Sequence, residues 1–418
     1  MLRLSNKLLL FALITICIIF LTSCFDSDEI DSIIFVIAIG VDKGISDKWL
    51  LTLQFPNLSE SQGGGDPGSQ GAGEYTFVSV DAPSFFTGIN MLNASLPRKL
   101  NFMQTQIIMF SDELAQDGLV GEYIAPLTRY RQIRRSAHVF VVNGKAYDFI
   151  KDVKPLIGNT LSKNYQIWLD LSHHTGYFPH VTLEDFHQDI NSPYLDCIAT
   201  IVAVNKLKDY EDSTTGKDQV FNTGGKYIAG ELPRMGENNR ELWGTALFDK
   251  DKLVAKLNGD ETRLLLMLRG DYKRGFYTIQ DPKEPNLIIP LDVTMNSEPK
   301  IKINTSKSSP VINIEVKLNG DIMAVQSRYE YEQPELKSLL EAEFEEIIKE
   351  DIENLVKKCQ KLNVDAFRFG EYATRNFLTI NEFENYKWKE KYKTAEVNVN
   401  VKFIIRRTGT LIRSTPIS

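Results

Sequence analysis

The chain has 418 residues, a formal net charge of −7, 43% hydrophobic and 10% aromatic side chains. These fractions are ordinary for globular protein and supply a sizeable core. The modest acidity excludes a nucleic-acid footprint, which needs clustered excess Lys and Arg.

The first residues read as a processing segment. Arg3 and Lys7 precede a run at residues 8–21 that is apolar apart from Thr15. It is shorter than the roughly 20 residues of a spanning helix and suits the hydrophobic region of a signal peptide. Leu21-Thr22-Ser23-Cys24 then matches the bacterial lipobox, an aliphatic residue and two small ones before cysteine. The expectation is cleavage between Ser23 and Cys24, removal of residues 1–23, and a diacylglyceryl group on the Cys24 thiol. Two acyl chains make a stable anchor where one is marginal. No later apolar run approaches the length of a membrane span.

Residues 26–31 form a short acidic tether. Residues 33–39 are a near-continuous apolar run, the pattern of a strand buried on both faces, and residues 49–55 read as its neighbour. Residues 61–73 are a flexible Gly-rich loop without the Gly-Lys-Ser/Thr ending of a phosphate cradle. A helix at 84–96, a strand at 105–110, a helix within 113–130 interrupted by Pro126, and a strand at 138–142 follow. This first mixed α/β domain is expected over residues 24–205. A middle domain at 206–283 opens on a polar stretch, then a hairpin turning at Asp249-Lys250-Asp251, then a helix that Asp260 caps after Asn258-Gly259. The third, at 284–418, starts with strands at 287–295, 300–304 and 311–318. It continues with a long amphipathic helix at 334–362, Pro334 in its first turn, and ends on an alternating strand at 396–406. The fold class is therefore α+β: three mixed α/β domains on largely antiparallel sheets, with one long helix packed on a sheet.

Little in the chain reads as chemistry. His173, His174, His180 and His187 lie close in sequence beside Asp185 and Asp189, but Gly176 and Pro179 make the segment an irregular one of solvated histidines, and no metal site is expected. Neither a nucleophile elbow nor a Ser-x-x-Lys arrangement is present, so no catalytic residue is assigned. Arg129, Arg131, Arg134 and Arg135 form a basic cluster, read as a surface helix end with anionic headgroups or an acidic partner as the alternative. Once Cys17 leaves and Cys24 is lipidated, Cys197 and Cys359 remain, read as separately buried thiols.

Three blocks resemble the Ger(x)C family, the lipoprotein C subunit of nutrient germinant receptors in spore-forming bacteria. The first runs from Cys24-Phe25-Asp26-Ser27-Asp28-Glu29-Ile30 through Gly40-x-Asp42, Arg98-Lys99-Leu100, Phe110-Ser111-Asp112-Glu113-Leu114-Ala115 and Gly144-Lys145-Ala146. Phe25 stands where the family usually has tryptophan. The second is Gly244-Thr245-Ala246-Leu247-Phe248 with Leu257-Asn258-Gly259-Asp260-Glu261. The third is Asp365-Ala366-Phe367-Arg368-Phe369-Gly370-Glu371, then Trp388 and Arg407-Thr408-Gly409. The resemblance implies a non-enzymatic receptor component without cofactor, anchored on the outer face of the cell or spore inner membrane. It also implies partnership with integral-membrane A and B subunits. A solute-binding lipoprotein of a transporter is the alternative, disfavoured because its two doubly wound lobes do not suit the strand-rich third unit. A lipid-anchored hydrolase lacks its motif.

Overall fold

A computed structural model describes residues 32–56, 75–152, 161–206, 221–236, 239–327 and 329–407, with Phe11, Thr15 and Glu29 besides. The chain begins with β1 (Ile33–Phe35), β2 (Ala38–Lys43), β3 (Trp49–Pro56), β4 (Tyr75–Ala82) and α1 (Phe85–Ser95). It continues through β5 (Lys99–Asn101), β6 (Ile107–Ser111), α2 (Asp112–Gln116), α3 (Val120–Arg129), β7 (His138–Val142) and α4 (Ala146–Lys151). Helices α5 (Leu161–Asp170), α6 (Ser172–Thr175) and α7 (Leu183–Asn191) lead to β8 (Ile198–Val204), β9 (Arg240–Asp249), β10 (Lys252–Leu257) and α8 (Gly259–Arg269). The remainder comprises β11 (Arg274–Gln280), β12 (Ile288–Asn304), β13 (Val311–Ile322), α9 (Pro334–Leu362), α10 (Phe369–Thr374), α11 (Ile380–Tyr386), α12 (Trp388–Tyr392) and β14 (Glu396–Arg407).

Two main sheets organise these elements. The first has eight strands in the order β10-β9-β8-β7-β6-β2-β3-β4. Its centre, β8-β7-β6-β2, is parallel and both flanks are antiparallel. Both faces of that centre are covered. Ala38, Ile107, Met109, Phe140 and Val142 pack with Phe149 and Tyr165 of α4 and α5. Ile39, Val41, Ile108, Phe110, Val139 and Val141 join the larger core on the other side. Parallel strands buried twice need apolar residues at every position, which is why β2 shows no alternation at residues 38–41. The single strand read at 33–39 is split, since residues 33–35 form β1 and pair with β5 in a separate two-stranded sheet. The second sheet runs β11-β12-β13-β14, with β14 parallel to β13.

Four further sequence expectations meet a different outcome. The hairpin β9–β10 does not found a middle sheet but completes the first one, Ile198 of β8 lying opposite Leu247 of β9. Pro126 sits inside α3 instead of interrupting it. In so short a helix a proline forfeits the single amide bond to the carbonyl four residues back, and buried Tyr123, Ile124 and Leu127 hold the helix in place. The cap of α8 is Asn258, not Asp260. Asn258 accepts from the Glu261 amide while Glu261 accepts from the Asn258 amide, a capping box, and Asp260 takes the Thr223 hydroxyl instead. Finally, the strands read at 287–295 and 300–304 are one strand, β12, whose register shifts between Met295 and Lys300. The long helix ends where sequence places it, with Pro334 in its first turn and Asn363 left-handed at φ 58° after Leu362. The Gly-rich loop at 61–73 lies outside the described residues.

Candidate functional site

Most of the motif side chains turn inward, and they gather at three places. At the C-terminal end of the parallel strands, the buried Asp42 carboxylate accepts from the Ala146 and Tyr147 amides and so caps α4. Burial pushes its carboxyl above the usual range, with those amides and Ser111 opposing the rise. Gly40 lets the same helix pack close, since a Cβ there would lie 2.7 Å from Ile150 Cδ1 and 3.2 Å from Ala146 Cβ, and the Ile150 side chain would have to shift. The Gly40-x-Asp42 and Gly144-Lys145-Ala146 motifs therefore form one strand-to-helix lock. Beside it Glu113 pairs with Lys43 at 3.0 Å, and Lys256 of β10 bonds Asp112 at 2.9 Å and Asn143 at 2.7 Å. Arg98 lies apart from this lock, half-buried just before β5.

The second place is the β9–α8 corner. Gly244 adopts φ 96° and its amide donates to the Tyr177 carbonyl at 2.7 Å. Thr245 and Thr262 share a buried hydroxyl pair at 2.9 Å, and Phe248 meets Phe186 edge-on at 5.2 Å. Gly259 lies against the Trp243 indole, where any side chain would collide. Glu261 reaches Lys358 of α9 at 2.6 Å. Arg263, 2% exposed, is stacked between Tyr177 at 3.7 Å and Tyr277 at 4.6 Å. Such cation–π contacts, desolvated, tie the corner to β11.

The third place joins the two halves of the chain and is the candidate functional site. Asp365, fully buried, accepts from the amides of Phe369 (3.0 Å) and Gly370 (2.6 Å) and from Trp388 Nε1 (2.9 Å). Burial pushes its carboxyl up to about 6 against those donors. The Asp365 amide donates to Asp196, at the end of the segment before β8, at 2.8 Å. Lys389 of α12 bridges Asp196 at 2.7 Å and Asp249 of β9 at 2.8 Å. Burial disfavours its charge, yet the two carboxylates outweigh burial and raise its pKa. Arg368, left-handed at φ 62°, grips buried Asp189 of α7 with both oxygens near 3.0 Å. Arg269 lies 4.0 Å from the same carboxylate. Next to this junction a groove of about 330 Å³ is lined by Tyr194, Lys250, Phe383, Lys387 and Trp388. The pairing of Asp189, Asp196 and Asp249 with residues 365–389 escapes sequence reading, since a buried acid looks like any surface acid until its distant partner is placed.

Of the four histidines close in sequence, the structure brings together His173 and His180, with His138 as an unsuspected member. His138, which opens β7, meets His180 edge-on at 4.3 Å, and His180 stacks with His173 at 6.1 Å. Among the described residues no group of three His, Cys, Asp or Glu side chains is placed to hold a metal ion. The segment is not wholly irregular, since α6 and α7 occupy much of it. Cys197 and Cys359 are separate buried thiols, and burial pushes Cys359 up to about 12. Cys24, its cleavage site and Gly409 lie outside the described residues; Glu29 is exposed. No helix among the described residues is long and apolar enough to cross a membrane.

Two family descriptions match the chain. "Spore germination protein N-terminal domain" covers residues 26–204, and "Spore germination B3/GerAC like, C-terminal" covers residues 243–409. A Bacillus subtilis (strain 168) chain named as spore germination protein YfkR is 25% identical over 413 residues, 96% of each chain. Spore germination protein KC of the same organism is 23% identical, over 99% of this chain and 98% of its own. The crystal structure of the GerBC protein superposes with a TM-score of 0.52 at 16% identity, over 88% of this chain and 96% of that one. At that identity the likeness shows a shared fold.

Proposed function

The chain belongs to the Ger(x)C family of spore germination proteins, and from that premise we propose that it is the lipid-anchored C subunit of a nutrient germinant receptor. In this reading the chain is non-enzymatic and acts in receptor assembly and signal transmission beside integral-membrane A and B subunits. The observation that carries it is the presence of both family domains in one chain, joined through motif residues. Asp365, Arg368 and Lys389 of the C-terminal family region close on Asp196 and Asp189 of the N-terminal one. Side chains spent on that junction favour a rigid body that presents surfaces to partners.

The diacylglyceryl group on Cys24 would confine this body to the outer face of the membrane. Tethering converts docking on the membrane subunits into a near-intramolecular event, so a weak contact suffices for assembly. A stiff junction then passes a displacement at one end to the other, because packed interiors move as units.

The test is a pull-down from solubilised spore inner membrane with wild type and Cys24→Ala, scored with the germination response to nutrients. The reading expects two multispanning subunits with the wild type, loss of the variant to the soluble fraction, and no response to one nutrient set. A wild type that is anchored yet captured alone, with germination intact in its deletion, overturns the receptor role.

A further inference from the structure

The arginine cluster gains a role from where the fold carries it. Residues 82–111 contain no acidic side chain, and neither do residues 123–147, in a chain with 55 acids. The structure joins these two acid-free segments. Phe86 of α1 packs edge-on against Tyr130 at 5.4 Å, and Tyr130 against Phe102 at 5.6 Å. The Phe102 amide donates to Gln132 at 3.1 Å. Around these rings Lys99, Arg129, Arg131, Arg134 and Arg135 are exposed and Arg98 is half-buried, and Arg135 forms an ion pair with Glu184 at 2.6 Å. Phe86 and Met103 stand 45% and 51% exposed on the same end.

That end also receives the chain from its N-terminus. β1 runs parallel to β5 with Ile33 opposite Lys99, so the first described strand starts at the basic rim. The eight steps from Cys24 to Ser32 reach at most about 28 Å.

We propose that this end of the first sheet lies against the anionic lipid surface that holds Cys24, an inference that rests on the lipid-anchor reading above. Cations within a Debye length of anionic headgroups, about 10 Å at ordinary salt, are drawn to them. Exposed Phe and Met side chains suit the headgroup–acyl boundary. Anchor and patch together hold the body in one orientation instead of leaving it to swing on its tether. The competing occupant is the acidic tether, Asp26, Asp28, Glu29 and Asp31, which precedes β1 in sequence.

The experiment uses residues 24–418 with Cys24→Ala; the described core begins at Ile33, so removing the signal segment leaves it whole. Co-sedimentation is measured with vesicles containing phosphatidylglycerol and with pure phosphatidylcholine. Expected are binding to the anionic vesicles only, its loss at high salt, and a drop of roughly tenfold or more for Lys99→Glu/Arg129→Glu/Arg131→Glu with unchanged circular dichroism. Phe86→Ser lowers binding by about threefold and leaves the salt dependence intact. Equal binding by the charge-reversed chain, or no preference for anionic vesicles, overturns the proposal. Binding that emerges only after the four tether acids are made amides assigns the patch to the tether and overturns it too. Lipid attachment at Cys24 is read separately by membrane fractionation of the wild type, so the patch and the anchor fail independently.

Discussion

His138 shows how one side chain acquires properties its sequence context does not announce. It stands 42 residues before His180, alone at the start of an apolar strand, and its neighbour appears only when β7 meets the loop before α7. Burial and the nearby His180 push its imidazole down to about 4, against an opposing pull from Asp185. His180 is lowered in the same sense by burial and His173, with Asp185 and Asp170 opposing. A depressed folded pKa means that stability is complete above the ordinary histidine value near 6.5 and is lost as pH falls through about 4. We expect His138→Phe, which keeps the ring but takes no proton, to flatten the fall in melting temperature between pH 6.5 and 4. Melting curves that stay parallel to wild type across that window would refute the assignment.

At the scale of elements, α9 was legible because everything that defines it is local. Pro334 starts it, the stripe Leu340, Phe344, Ile348, Ile352, Leu355, Val356 and Cys359 buries one side, and Asn363 closes it. What α9 does was not legible. Glu345 accepts from the Phe403 amide and Glu341 from the Ile405 amide, both at 2.8 Å, so two carboxylates one turn apart cover amides two residues apart on β14. From sequence these are two glutamates on a charged helix face. In the fold they blunt an edge strand that would otherwise recruit another chain. Glu341→Ala/Glu345→Ala should therefore scatter light sooner and more strongly on mild warming than wild type, in proportion to protein concentration. Identical scattering would mean the edge is protected by something else. The α8 cap, by contrast, was readable, since Asn258 and Glu261 stand at capping-box spacing and Asp260 lies inside the first turn.

At the scale of the whole molecule, boundaries drawn from composition mislead where strands are exchanged across them. The polar stretch after residue 206 looks like a linker, yet β9 and β10 on its far side finish the sheet begun by β2. The junction of Asp196, Asp249 and Asp365 with Lys389 then fastens the C-terminal half to that sheet. Removing one partner of a buried ion pair costs about 3 kcal/mol because the other charge is stranded. Lys389→Met should lose roughly that much in urea denaturation, Asp196 being fully buried. A change within about 0.5 kcal/mol would reduce the pair to surface decoration.

The parallel pairing of β14 with β13 also sets a clock. Val311 lies opposite Glu396, and α9 and three short helices intervene. Contacts so far apart in sequence form slowly, since a long loop must close before any bond rewards it. Until that moment β13 is the bare margin of a three-stranded sheet and Glu341 and Glu345 have no amides to cover. A species complete except for β14 would bare β13 as an unpaired edge, the kind of surface through which folding chains misassemble.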